Sequence, residues 1–271
     1  LEHFRYHAYA VGFSGSIKEP LHEEIPIQAS VALSPNGGFG ASRVERFRLH
    51  EIVSVASIVS RVSGSFCEND QTYDAVATVI SEHLDILGVV TADRIVARVA
   101  VSHPKQGGAA SFTLLGSYFE NLRIAGRLVE VDLATDTFDK FDTWPKLHDA
   151  YNKDTDGFRK EFDALTLAGK ADEIPDRLKP HFPWSGTQGG DKLPTRTGEV
   201  HCGLVRGISG SGKGLPYYGH AIHVRGFGVI RLAELTRSES LITLTMLQIG
   251  PACTPGLKTT SNAVVINGGG Y

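Results

Sequence analysis

Few residues in this sequence stand at spacings that chemistry demands, and each candidate meets an objection from its neighbours. Gly207-Ile208-Ser209-Gly210-Ser211-Gly212-Lys213-Gly214 comes within one residue of a loop that cradles phosphates with backbone N–H groups. Such a loop needs a hydroxyl after the lysine to hold magnesium and a helix beyond it. Gly214 has no hydroxyl, and Leu215-Pro216-Tyr217-Tyr218-Gly219 cannot open a good helix, so the run reads as a connection between strands. Asn152, Asp154, Asp156 and Asp163 occupy positions one, three, five and twelve of a calcium loop, with Gly157 at six. The short Asp163 replaces the bidentate glutamate and Arg159 stands where an apolar residue is usual. Calcium and a solvated, helix-breaking turn therefore both fit. The eleven histidines are scattered. His220 and His223 fall on opposite faces of a strand by parity, while His181 and His201 lack a partner at ligand spacing. No serine sits in a nucleophile-elbow sequence and no carboxylate pair stands out, so no catalytic, cofactor-binding or metal residue is assigned and no cofactor is expected.

Three cysteines are too few for a disulfide-dense scaffold. Cys202 and Cys253 each lie near the end of a candidate strand. A bridge between them would close a loop of about 50 residues, worth roughly 4 kcal/mol in the chain-entropy model. The alternative is three inert thiols, and Cys67 is unpaired either way.

Outside these points, alternation with a period of two dominates from Tyr6 to about Leu133. It predicts strands over Tyr6–Ile17 and Ile25–Leu33, one long stretch over Val44–Val62 stopped by Gly64, and strands over Thr72–Ile86 and Ala92–Val101. In the last of these Ile95, Ala97, Val99 and Val101 share one face, and Arg94, Val96, Arg98 and Ala100 the other. A hairpin or bulged strand follows within Leu114–Leu133. Strand signals return at Glu199–Ile208, on both sides of the glycines in Ala221–Leu235, at Ser240–Ile249 and at Asn262–Ile266.

The period changes between residues 141 and 194. Trp144, Leu147, Tyr151, Phe158, Phe162 and Leu165 recur at helical spacings, and Thr143 before Trp144-Pro145 supplies an N-cap and an early proline. Two short helices separated near Asp154–Gly157 are expected, then an irregular loop rich in proline and glycine. The fold class predicted is all-β, an antiparallel sandwich or barrel-like framework, with this segment as an α-helical insertion into a single domain spanning residues 1–271.

Composition narrows the partners. Thirty glycines and one methionine favour strands and tight turns over helix bundles, and a formal net charge of -3 offers no basic field for nucleic acid. No apolar run reaches the length of a membrane-spanning helix. The start at Leu1-Glu2-His3 is neither an initiator methionine nor a signal peptide and reads as a mature or trimmed terminus.

Four runs in order, Thr91–Arg98, Phe119–Gly126, Val224–Glu234 and Leu241–Leu247, resemble the framework of the choice-of-anchor P proteins, exported bacterial proteins of largely unknown function. The resemblance implies export, an all-β framework and a place outside the cell or on its surface, and it supplies no catalytic residues. The expectation is a structural or adhesive protein that associates with its own copies or with cell-surface material, through strand edges or the insertion. The alternative is a carbohydrate- or ligand-binding module, suggested by Phe182-Pro183-Trp184-Ser185-Gly186 and Tyr217-Tyr218.

Overall fold

The computed structural model describes residues 4–17, 23–114, 116–167, 172–176, 178–182, 192–193, 198–250 and 257–269. The predicted fold class holds: antiparallel sheets form the framework and a short run of helices is inserted in it.

β1 (Arg5–Ile17) and β2 (Glu23–Ala32) form one edge of the first sheet. The chain then crosses to a second sheet and runs back and forth through β3 (Gly38–Leu49), β4 (Val53–Cys67), β5 (Thr72–Ile86) and β6 (Val90–Pro104). Short segments finish that sheet beside β6: β7 (Ser111–Thr113), β8 (Tyr118–Glu120), β9 (Arg123–Ile124) and β10 (Arg127–Leu128). β11 (Glu130–Leu133) leads into the helices α1 (Thr135–Lys140), α2 (Trp144–Lys153) and α3 (Phe158–Thr166). The chain returns through β12 (Val200–Gly203), β13 (Val205–Ser209), β14 (Tyr217–Tyr218), β15 (Ala221–Val224), β16 (Gly228–Arg237), β17 (Leu241–Gly250) and β18 (Leu257–Gly269). The first sheet has the order β14-β15-β16-β17-β18-β1-β2, with β12 also paired to β16. β18 therefore lies between β17 and β1, joining the end of the described chain to its beginning.

The two sheets stack as a sandwich, with β1 over β4 and β5 and β18 over β5 and β6. Phe13, Ile58, Val79, Ile95, Ala97, Val99, Ile230, Leu232 and Leu244, all at most 1% exposed, fill the space between them. Alternation alone produces this core, because every second side chain of a strand meets the facing sheet.

Three sequence expectations are corrected. Val44–Val62 is two antiparallel strands, β3 and β4, turning at His50–Ile52, because Val44 faces Ile58 across the pair and not along one strand. Gly64 does not end a strand. It lies within β4, where a Cβ would come 2.7 Å from both Tyr6 and Leu33, so glycine there admits the Tyr6 ring. Glu199–Ile208 divides into β12 and β13, which pair with different sheets.

Each main sheet also carries a crease. The pairing in β3 to β6 skips the rung through Arg46, Ala56, His83 and Asp93, and Arg46 and His83 are left-handed there, at φ 51 and 49. In the first sheet the skipped rung runs from Ala29 and Gly12 through Met246 to Ala233, with Ala29 and Ala233 at φ 49 and 50. A bulge of this kind reverses which parity faces inward. In β5 the buried set accordingly passes from Ala75, Ala77 and Val79 to Leu84 and Ile86.

The helices begin at Thr135, ahead of the expected boundary at 141, because α1 precedes the capped helix. Thr143 Oγ1 accepts from Lys146 N at 3.3 Å and the chain breaks at Asp154–Gly157 as the spacing predicts. Phe138, Tyr151, Phe158 and Phe162 pack ring against ring into the common core. Arg237, 1% exposed at the end of β16, fixes the insertion to the framework through Phe141 O at 3.1 Å and Asp142 O at 2.7 Å. Arg206 of β13 pairs with Asp136 and Glu161 at 2.7 and 3.0 Å.

Candidate functional site

A pocket of about 210 Å³ opens on the outer face of the first sheet, where β12, β16 and β17 run side by side. Neighbouring strands bring its side chains into rows: His201 beside Thr236 and Thr243, Glu234 beside Thr245, and Arg231 beside Gln248. Strict alternation would put Arg231 and Glu234 on opposite faces. The left-handed residue Ala233 reverses the phase between them, and both point outward. The skipped rung at Met246 does the same for Thr245 and Gln248.

Arg231 and Glu234 form the centre. Arg231 Nη1 donates to Glu234 Oε1 at 2.8 Å, and Nη2 donates to Gln248 Oε1. Nε is buried and has no hydrogen-bond partner among the described residues. The His220 imidazole, 1% exposed, reaches the same Glu234 oxygen through Nε2 at 3.2 Å. Its place depends on Gly203 of β12, where a Cβ would come within 2.1 Å of His220 Nδ1. Phe182 stands edge-on to the imidazole at 5.2 Å. Burial pushes the Glu234 carboxyl up, but the hydrogen bond and charge of His220 and the charge of Arg231 outweigh it. The group is held below the ordinary glutamate range and stays ionised at neutral pH.

At the rim, His201 Nδ1 lies 3.1 Å from Thr236 Oγ1, and its Nε2 lies 3.6 Å from Glu199 Oε2. This is the order of nucleophile, base and orienting acid. Thr236, however, is paired on both sides, with His201 of β12 and Thr243 of β17, so the backbone N–H groups around it serve the sheet and build no oxyanion hole. The hydroxyls of Thr243 and Thr245 have no partner among the described residues. With donors and acceptors mixed and its one strong charge pair internally balanced, the pocket is equipped to bind by hydrogen bonds.

The residues singled out in the sequence fall elsewhere. Asn152 Oδ1 accepts from Leu193 N, Asp154 Oδ1 from Arg159 N and Asp163 Oδ1 from the Tyr151 hydroxyl, while Asp156 pairs with Lys140. The four thus face different protein partners, and among the described residues no group of three or more His, Cys, Asp or Glu could hold a metal ion. Gly210–Gly214 is a 3-10 turn from β13 toward β14. Cys202 is a free thiol, 1% exposed, and burial pushes it up, away from thiolate chemistry. Cys253 lies outside the described residues, as does Trp184. Tyr218 packs with Phe182, Leu178 and Val229 in a small second core under the insertion. Arg94 pairs with Glu82 at 2.7 Å, and Arg98 is exposed.

A family of proteins described as "Domain of unknown function (DUF8256)" matches residues 4–238, most of the chain. The chain belongs to that family. No curated protein and no solved structure matches it. The matched span includes β12 and β16, with Arg231 and Glu234, and stops before β17, which supplies Gln248, Thr243 and Thr245. Nothing in these matches connects the chain to the choice-of-anchor P proteins. No helix among the described residues is long and apolar enough to cross a membrane.

Proposed function

We propose that this DUF8256 protein is an extracellular or cell-surface adhesive module that holds a carbohydrate-class ligand in the pocket between β12, β16 and β17. The observation that carries this reading is the balanced Arg231–Glu234 pair beside threonine hydroxyls that have no partner among the described residues. A charged ligand would meet its own sign on one member of that pair, whereas a neutral polyol offers both donors and acceptors to Gln248, Thr243, Thr245 and His201. Drug-sized ligands take pockets of roughly 300–1,000 Å³, so this smaller one suits a single sugar ring. Placement outside the cell is supported by the likeness of the framework runs to exported proteins. The test is a glycan array followed by calorimetry. Wild-type protein binds a neutral glycan, and Gln248→Ala and Thr245→Val each weaken it at least tenfold with unchanged melting. Absence of binding, or full binding by both variants, overturns the reading.

A second, structural reading is favoured by the free edges. Among the described residues the two long strands with one unpaired side are β2 and β3, which lie together at one side of the sandwich. Self-association there would give dimers or larger assemblies, visible by electron microscopy and light scattering.

A further inference from the structure

We infer that β3 is the self-association surface, and that two copies join by antiparallel pairing of the segment Phe39–Arg43 about a two-fold axis at Ala41. The inference rests on the structural reading above and specifies its partner and register.

Sheet edges are normally blunted by shortness, proline, charge or bulges. The far edges of both sheets end in segments of two or three residues, such as β14 and β10. β2 carries Glu23, Glu24 and Pro26, which has no N–H, and is bent by left-handed Ala29. The second half of β3 is bent at Arg46, and beyond it His50 is tied to Glu23 of β2 at 2.9 Å. None of these devices reaches Phe39–Arg43, which begins just after Gly38, at φ 100. This window has one charged residue, Arg43, and presents Phe39, which is 71% exposed.

The window complements itself. Phe39, Ala41 and Arg43 share the exposed face of β3. A two-fold axis at Ala41 sets Phe39 of each copy opposite Arg43 of the other and Gly40 opposite Ser42. Each exposed ring then receives a guanidinium, a cation–π attraction. Glu45, 2.5 Å from Arg43 in its own chain, balances the charge brought to the contact. Small residues at Gly40, Ala41 and Ser42 let the two backbones approach to ladder distance.

The experiment combines light scattering with cross-linking in a Cys67→Ser background. Weight-average mass is expected to rise from one chain toward two between micromolar and millimolar protein, and Phe39→Glu is expected to hold it at one. Ala41→Cys is expected to form a disulfide-linked dimer on mild oxidation, because directly opposed antiparallel residues lie within disulfide reach. Mass spectrometry of the digest identifies the bridge as two copies of the same peptide joined at the substituted position. Arg48→Cys, beyond the bend, is expected not to cross-link. A monomer at every concentration overturns both the inference and the structural reading. A dimer in which Ala41→Cys fails to cross-link overturns the inference and leaves self-association standing by another surface.

Discussion

Glu234 is the residue on which the pocket's electrostatics converge, and its ionisation couples the site to stability. Its folded-state carboxyl lies below its ordinary value, so its contribution is complete above that value and is lost as pH falls through the folded one. Glu234→Gln is expected to melt below wild type at pH 7, the gap narrowing as pH falls from about 5 toward 3. Calorimetric melts across that range check the sign. Gly203→Ala is expected to cost about 1–3 kcal/mol, the range for overpacking, because the added methyl collides with His220. Loss of the His220–Glu234 contact should appear as a shifted imidazole resonance. Little of this was legible in the sequence: His220 lies 14 residues from Glu234, and Arg231 and Glu234 have the wrong parity for one face until Ala233 reverses it.

At the scale of elements, strand extents were legible from period-two runs bounded by turn signals, and Thr72–Ile86 is reproduced to the residue although its parity reverses at His83. The reading failed where one pattern served two strands. Val44–Val62 alternates across the β3–β4 turn because both strands present the same kind of face to the core. The helices were readable from aromatic spacing and the Thr143 cap. Thr143→Ala is expected to cost about 1 kcal/mol in chemical denaturation. What holds the helices to the framework was not readable, because Arg237 finds its acceptors 95 and 96 residues away. Burial pushes its guanidinium down to about 10, which leaves it charged at neutral pH. Arg237→Met is expected to cost about 1–3 kcal/mol by removing both hydrogen bonds, since Asp142 O keeps the Phe112 N–H but Phe141 O loses the Arg237 donor. Hydrogen exchange should quicken in α2 and α3 before the sandwich core.

For the whole molecule, closure of the first sheet depends on strands beyond the family-matched span. β17 and β18 connect β16 to β1, so a chain ended at residue 238 would lose the middle of that sheet and expose the edges of β16 and β1. It is expected to lack cooperative thermal unfolding and near-ultraviolet circular dichroism. Period-two alternation, glycine-rich turns and one helical stretch by themselves determined an all-β framework with an insertion, because these signals arise from residues close together in the chain. The tertiary structure alone decided which strands became neighbours, which rung of each sheet was skipped, and therefore that Arg231, Glu234, His220 and Gln248 would meet. Those choices depend on packing between distant segments, which local periodicity does not encode.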